Sequence, residues 1–338
     1  MAVVDIFSVD RVSLRARVRA HMAIMRLDHS IKNLFVLPGI VVPLSFLPGH
    51  LDRRFLFRVA LAMLSVTLVG CSNYVINEVL DAPFDRLDPS KRNKPAAVGL
   101  VVTPIAYLQW LALMATGVGL GQLISPRFAL ADVALWIMGC VYNLPPLRTK
   151  DVAYLDVLTD AVNNPLRMLL GWYAVTSALV PPISLLLSYW MISCYFMALK
   201  RFSELSETRN RTLGGANRAP LFRHYTPESL LVTALFYAST AMLFLGAFTI
   251  RYRIELILAY PLVALTMAVY CKLSFKAGPA LQNPEKLYRE PLLMTSLSAA
   301  ALVLVVLLFV RIPQLERFFM PTLPQSGISA VIPPVRGL

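Results

Sequence analysis

Long apolar stretches separated by charged segments dominate this chain. A helix needs roughly 17–25 mainly apolar residues to cross the hydrocarbon core of a bilayer. Nine stretches can be drawn, at residues 34–47, 55–76, 101–124, 128–142, 152–178, 181–199, 230–250, 256–271 and 292–310. The first, fourth and eighth are short and need tilt or snorkelling side chains to span. The pattern predicts an all-α integral membrane protein with about nine transmembrane helices.

The composition agrees with a membrane protein. Of the 338 residues 57% are hydrophobic and 15% are charged, and the mean hydropathy is +0.63. A soluble domain of this length needs more charged surface. We divide the chain into a basic amphipathic segment (1–33), a nine-helix membrane domain (34–310) and an irregular proline-rich tail (311–338). The four cysteines lie far apart without zinc-site spacing, so we expect them to pack as small apolar side chains.

The basic residues carry an orientation signal. If the N-terminus is cytoplasmic, 22 of the 32 lysines and arginines fall on the cytoplasmic side and 9 on the opposite side. This excess predicts an N-in, C-out arrangement. The net charge of +13 is then explained by topology and by contact with anionic membrane lipids, so nucleic acid is not an expected partner.

A first polar cluster closes the second apolar stretch, in the sequence YVINEVLDAPFDRLDPSKRNKP. Asn77 and Asp81 are four residues apart and share one face of a helix, and Asp85 follows one turn later. Pro83 lies between the two aspartates, which predicts that the helix kinks or ends nearby.

A second polar cluster begins the fifth stretch, in YLDVLTDAVNNPLRMLLGW. Helical spacing aligns Asp156, Asp160, Asn163 or Asn164, and Arg167. Ionisable groups inside a membrane cost roughly 2.5–3.5 kcal/mol each, so we expect these side chains to face a polar interior.

The two clusters suggest a metal site. Neighbouring carboxylates repel each other unless a cation lies between them. Mg²⁺ binds one or two carboxylates and completes its shell with water and substrate phosphates. Carboxylate pairs beside lysine and arginine therefore predict a site for a Mg²⁺-bound diphosphate, facing the cytoplasm. Two alternatives remain open. The acids and Arg167 could serve only helix packing, or the chain could be a transporter with its site at the interruption Asn164-Pro165.

The clusters resemble the two marks of the UbiA superfamily of intramembrane prenyltransferases, an NxxxDxxxD motif and a later DxxxD motif. Asn77-Asp81-Asp85 and Asp156-Asp160 match them in order. The resemblance implies a ring of nine membrane helices around a central cavity. It also implies transfer of a carbon group from a Mg²⁺-bound diphosphate, with the metal held by Asp81, Asp85, Asp156 and Asp160.

Within the superfamily, two branches compete. The residues after the second stretch are similar to the branch that transfers 5-phosphoribosyl from phosphoribosyl diphosphate to a polyprenyl phosphate, and KRxxEL at 200–205 is shared with it. However, Glu78 stands where aspartate is usual, and Ser30 where tryptophan is usual. The loop 142–150, with Pro145-Pro146, looks more like branches that move a polyprenyl group from a prenyl diphosphate to an aromatic or lipid acceptor.

The remaining site predictions are cationic and polar side chains. Arginine suits bidentate contacts to phosphate and lysine suits point-charge contacts. The predicted phosphate-binding residues are Lys32, Arg86, Lys91, Lys94, Arg148, Arg167, Lys200 and Arg201. Asn77, Tyr142, Asn163 and Asn164 are expected to line the site. A solvated loop (Lys91, Lys94), snorkelling (Lys32) and interfacial anchoring (Tyr142) remain alternatives. The sequence leaves the oligomeric state open.

Overall fold

The computed structural model describes residues 13–319 except 48, 50, 52, 90, 212–219, 277–286 and 288. Every regular element in these ranges is helical. The α-helices are α1 Leu14–Ala23, α2 Leu37–Phe46, α3 Arg53–Asp85, α4 Thr103–Ile124, α5 Pro126–Asn143, α6 Leu155–Ala161, α7 Asn163–Val175, α8 Ile183–Arg211, α9 Pro227–Tyr252, α10 Tyr260–Ser274, α11 Pro291–Phe309 and α12 Pro313–Phe318. Short 3₁₀ segments lie at Leu27–Val36, Thr149–Asp151, Pro220–Arg223 and Ile254–Ala259.

The predicted all-α membrane fold is confirmed. Among the described residues, seven helical segments are long and apolar enough to cross a membrane: Leu14–Phe46, Arg53–Asp85, Thr103–Ile124, Ile183–Ser206, Pro227–Tyr252, Ile254–Ser274 and Pro291–Phe309. The fourth and fifth predicted spans correspond to α5 and to the α6–α7 pair, which do not meet the same criterion. The count of nine therefore stays a prediction.

Contacts between connecting segments define two ends of the helix bundle. At the end that we call the acidic end, Arg148 binds Asp81. At the opposite end, Arg127 donates a hydrogen bond to the carbonyl oxygen of Ser177. α5 begins beside Arg127 and ends just before Arg148, so it runs from one end to the other. The α6–α7 pair runs back to the segment that contains Ser177.

The helices pack as a closed arrangement. α3 packs on α4, α8 on α9, and α10 on α11, so that neighbours in sequence are neighbours in space. α11 also contacts α2, so the last membrane-length helix packs against the first membrane-length segment, Leu14–Phe46. α7 packs against α2, α3 and α5. This order brings the ends of α3, α5, α6 and α8 together at the acidic end.

α2 and α7 approach each other through two glycines. A Cβ atom at Gly39 would collide with the carbonyl group of Met168, and one at Gly171 would collide with the carbonyl oxygen of Val36. Small residues allow membrane helices to pack with their backbones in close contact. The position of α7, which carries Arg167, therefore depends on these glycines.

One local prediction holds and another changes. α3 includes Pro83 but ends two residues later at Asp85, so the helix ends near the proline as predicted. The fifth predicted span is broken after Ala161, where α6 ends. Pro165 explains this break, since a proline ring collides with the carbonyl four residues earlier.

The chain ends also differ in part from their predictions. The tail predicted to be irregular contains the helix α12, and residues 320–338 lie outside the described residues. Within the predicted basic segment 1–33, the structure has the helix α1, with Ser13 accepting a capping hydrogen bond from the backbone of Ala16, while residues 1–12 lie outside the described ranges.

Candidate active site

α3 carries the first acidic cluster to the acidic end. Arg148 Nη2 donates to Oδ1 of Asp81 at 2.9 Å, and Lys150 Nζ donates to the same oxygen at 2.5 Å. The other oxygen of this carboxylate, Oδ2, accepts no hydrogen bond from the described residues. Burial lowers the pKa of Lys150, and the neighbouring Asp81 carboxylate opposes that shift.

The loop after α5 is held in an unusual conformation to make these contacts. Arg148 has a positive φ of 30°, and such left-handed backbone is costly for a residue with a side chain. Its Nε also donates to Oδ2 of Asp151 at 2.6 Å. The strained loop thus directs one guanidinium at two carboxylates.

Lys94 neutralises the other carboxylates of α3. Its Nζ lies 3.0 Å from Oε1 of Glu78 and 2.9 Å from Oδ2 of Asp85. Arg26 approaches Glu78 at 3.5 Å. Burial alone would lower the pKa of Lys94, but its hydrogen bonds to Asp85 and Glu78 raise it. Lys94, predicted to bind substrate phosphate, is here an internal ion-pair partner.

Asp156 forms the centre of the second acidic cluster and is fully buried. Its Oδ2 accepts a hydrogen bond from Arg201 Nε at 2.7 Å, and its Oδ1 accepts one from the hydroxyl of Tyr225 at 2.5 Å. Arg201 Nη1 also donates to Glu204 at 2.6 Å. The Tyr225 oxygen in turn accepts from the backbone N–H of Tyr154 at 2.6 Å. Both carboxylate oxygens of Asp156 are therefore occupied.

Asp160, one turn further along α6, is different. Its half-buried carboxylate makes no hydrogen bond or ion pair with the part of the chain that the structure describes. The charge of Asp160 acts on Arg167 and Lys200, which lie nearby. Arg167 is 7% exposed and donates to the Asn33 side chain at 3.4 Å and to the Asn163 carbonyl oxygen at 3.2 Å.

The C-terminal end of α5 joins the two clusters. Asn143 Oδ1 accepts hydrogen bonds from Asn77 at 2.6 Å and from Lys150 at 3.0 Å, on the side of the first cluster. The adjacent Tyr142 hydroxyl accepts one from Arg201 at 3.4 Å, on the side of the second cluster. Two consecutive residues thus link the acidic motifs into one candidate site.

The donor set fits Mg²⁺. Among the described residues, no three carboxylate, histidine or cysteine side chains are grouped closely enough to hold a metal alone. Mg²⁺ does not need three, because it takes one or two carboxylates together with water and phosphate oxygens. Asp81, Asp85 and Asp160 each retain a carboxylate oxygen without a described partner, and the buried side-chain oxygen of Asn163 has none either. These are the hard oxygen donors that the ion prefers.

Some predicted site residues lie elsewhere. Arg86 donates from Nε to the carbonyl oxygen of Ala97. It follows Asp85 by one residue, which is about 100° further round the helix, so its side chain points away from the face that carries Asp81 and Asp85. Lys91 is exposed and lies 3.7 Å from Asp88. Asn164 donates to Ser193 of α8, a contact between helices. Lys32, by contrast, stays close to the site: it lies over the ring of Tyr74 at 5.8 Å, and its charge acts on Lys200.

The sequence interpretation did not assign a role to several residues of this network. Asn143 could have been found, since it lies in the 142–150 loop that distinguishes the branches, two residues before Pro145. Glu204 lies in the KRxxEL segment and follows Arg201 by three residues. Tyr225 had no local signal, because it follows a polar loop and reaches Asp156 only through the tertiary fold.

Comparisons with known proteins identify the family. The model of the UbiA prenyltransferase family matches residues 35–297. The decaprenyl-phosphate phosphoribosyltransferase of Mycobacterium tuberculosis is 28% identical over 178 residues, which cover 52% of this chain and 56% of that protein. The enzyme of the same name from Corynebacterium glutamicum is 27% identical over 190 residues, covering 53% of this chain and 52% of that protein. The chain thus spans about half the length of the curated relatives that it matches.

Solved structures agree on the fold. The structure of a UbiA homologue from Archaeoglobus fulgidus, bound to DMAPP and Mg²⁺, has a TM-score of 0.62 at 22% identity, covering 85% of this chain and 99% of that one. Together with the seven membrane-length helices, the family match makes this a multi-pass integral membrane protein. The chain belongs to the UbiA prenyltransferase family.

Proposed function

We propose that this protein transfers the 5-phosphoribosyl group of phosphoribosyl diphosphate to a polyprenyl phosphate and releases diphosphate. The observation that supports this is the supply of cations around the two acidic clusters. A ribosyl donor brings a 5-phosphate and a diphosphate, and the lipid acceptor brings a third phosphate group. The partial similarity to two decaprenyl-phosphate phosphoribosyltransferases points to the same branch.

Not every cation at the site is available for phosphate. Arg148, Lys150 and Arg201 are bound to carboxylates within 3 Å. Arg167 contacts only neutral oxygens. Lys32 makes no ion pair with the described residues, and Lys200 lies 4.0 Å from its nearest carboxylate, Glu204. Arg167 and Lys200, which lie near Asp160, and Lys32, whose charge acts on Lys200, are therefore the cations least engaged by carboxylates of the chain.

The reaction follows from these groups. When bound, Mg²⁺ would neutralise the diphosphate and make it a better leaving group. The aspartates with an oxygen that no described residue occupies, Asp81 and Asp85 in the first cluster and Asp160 in the second, would hold it, with one or two carboxylates to each ion. An oxygen of the lipid phosphate attacks the anomeric carbon of ribose, and the bond from that carbon to the diphosphate oxygen breaks with its electron pair leaving on diphosphate. The lipid phosphate is already ionised, so no general base is needed. Arg167, Lys32 and Lys200 orient the phosphate groups.

The assay uses the purified full chain in lipid nanodiscs with labelled phosphoribosyl diphosphate and decaprenyl phosphate. We expect a phosphoribosylated lipid and diphosphate in equal amounts, and no product after chelation of divalent metal. Asp160→Asn should lower turnover by at least about a hundredfold, since it replaces a charged carboxylate ligand of the metal by a neutral amide. Asp28→Asn, an exposed acid outside the site, is the matched control. A protein that binds neither substrate and leaves the ribosyl donor intact contradicts the proposal.

A second candidate function is transfer of a prenyl group from a prenyl diphosphate to an aromatic or lipid acceptor. The 142–150 loop favours this second candidate. The loop resembles that of the branches that transfer a prenyl group, and its Arg148 and Lys150 bind Asp81. The same preparation is therefore given geranyl diphosphate with an aromatic acceptor. Consumption of geranyl diphosphate, with the ribosyl donor untouched, would assign the chain to this branch instead.

A further inference from the structure

A second concave site lies on the outside of the bundle. It is a pocket of about 280 Å³ beside the acidic end of α3, and we call it the α3–α4 pocket. Its walls come from the last turns of α3, from residues 96–101 and from the first turns of α4. Val79 and Pro83 supply apolar walls, while Arg86, Thr103 and Tyr107 supply polar groups. The proposed function uses none of these side chains.

The pocket and the candidate active site occupy opposite faces of α3. Each residue of an α-helix advances by about 100°. Asp81 and Asp85 therefore lie on one face, and Val79, Pro83 and Arg86 lie on the other. A ligand in the pocket would not touch the acidic motif.

Arg86 is oriented for a ligand. Its Nε donates to the carbonyl oxygen of Ala97 at 2.8 Å, which fixes the plane of the guanidinium. Nη1 and Nη2 make no hydrogen bond or ion pair with the described residues. A guanidinium held at one nitrogen with two parallel donors free matches the geometry of a phosphate group. The hydroxyls of Thr103 and Tyr107 also have no partner in the described ranges.

The surroundings of the pocket are apolar and exposed. Val98, within the wall formed by residues 96–101, is 51% exposed, and Leu108 and Leu111 of α4 are 68% and 45% exposed. Only 11% of the α4 span is buried within the protein, so this helix presents most of its surface to lipid. The pocket wall formed by residues 96–101 follows the basic residues Lys91, Arg92 and Lys94 closely in the sequence. The pocket therefore lies where a lipid-facing surface meets a cationic one.

We propose that the α3–α4 pocket binds the headgroup of an anionic phospholipid. Its phosphate would lie against Arg86 and the two hydroxyls, and its acyl chains would follow the exposed apolar side chains of α4. A soluble phosphate would use the guanidinium but leave the apolar surface uncovered. A zwitterionic lipid would add a positive headgroup charge beside the basic segment, which disfavours it. Phosphatidylglycerol is a suitable probe of the class.

Native mass spectrometry of the delipidated full chain, titrated with phosphatidylglycerol or phosphatidylcholine, tests the site. We expect the first phosphatidylglycerol to bind at least about fivefold more tightly than phosphatidylcholine, as a bidentate charged contact predicts. Arg86→Gln should remove this preference. Arg92→Gln is the matched control, since it removes the same charge from the same segment but lies outside the pocket.

Three outcomes would overturn the proposal. An equal loss in Arg92→Gln would mean that only the general charge of the segment attracts lipid. Displacement of phosphatidylglycerol by inorganic phosphate would identify a soluble ligand. If Arg86→Gln does not fold, Arg86→Lys replaces it in the test, because lysine keeps the charge but lacks the two parallel N–H donors of the guanidinium. An unchanged preference for phosphatidylglycerol in Arg86→Lys rejects the site. The readout is lipid binding alone, so failure of the proposed transfer reaction leaves this test intact.

Discussion

Several cations that are predicted to bind substrate phosphate form ion pairs with carboxylates of the chain in this structure. Lys94 is the clearest case, because it bridges the buried Glu78 and Asp85. This lysine connects the segment after α3 to that helix. We therefore expect it to stabilise the position of Asp85.

Lys94→Met should destabilise the protein. Removing one partner of a buried ion pair costs about 3–5 kcal/mol, and less here because the Lys94 side chain keeps 30% of its exposure. Lys91→Met is the control, since Lys91 and Asp88 form an exposed pair worth under about 1 kcal/mol. Thermal unfolding in detergent measures the difference. Equal melting temperatures for the two variants would show that Lys94 is not a structural partner.

The pH dependence of this interaction has a defined sign. Because Asp85 and Glu78 raise the pKa of Lys94 above its ordinary value, its stabilisation is fully present below about pH 10. It is lost only as the pH rises through the higher folded-state pKa. The gap between wild type and Lys94→Met should therefore stay constant from neutral pH to about pH 9.

Sequence spacing could identify the acids at the site but not the partners of each. Four-residue steps placed Asn77 and Asp81 together, and both are joined to the site through Asn143 and Lys150. The same reasoning could not show that Tyr225 reaches Asp156. That contact depends on how a distant loop folds back, and no local pattern encodes it.

Helices were predictable where hydrophobicity alone decides them. Seven of the predicted stretches correspond to helices of membrane length, although α3 and α8 run well past the apolar residues. Proline marks a helix end at both acidic clusters. α3 ends at Asp85, two residues after Pro83, and α6 ends at Ala161, four residues before Pro165.

The contact between α2 and α7 gives an element-level prediction. Gly39→Ala should lower the melting temperature and the yield of folded protein, because its Cβ would displace the backbone of α7 at Met168. Gly246→Ala in α9 is the control, since a Cβ there meets nothing within 4 Å. Alanine favours a helix over glycine by about 1 kcal/mol, so this control should be neutral or stabilising. A Gly39→Ala variant as stable as the control would refute the close contact.

At the scale of the whole molecule, the alternation of loops between two ends agrees with the order of the predicted spans. Asp81, Arg148 and Tyr225 come from distant parts of the sequence yet meet at the acidic end. The sequence predicted this grouping because the segments that follow the second, fourth and sixth spans lie on the same side of the membrane as the N-terminus. The apolar pattern could not predict the contact of α11 with α2, because hydropathy shows that a helix is apolar but not which helix it packs against.

The orientation of the bundle in the membrane is the last prediction. The basic excess on the acidic end predicts that this end faces the cytoplasm. In a chain whose four cysteines are replaced by serine or alanine, Asp88→Cys should react with a membrane-impermeant maleimide only after the membrane is opened. Val180→Cys, at the opposite end and 67% exposed, should react in intact cells. The reverse labelling pattern would invert the topology, and it would place the acidic end away from the cytoplasmic pool of charged donors that the proposed reaction requires.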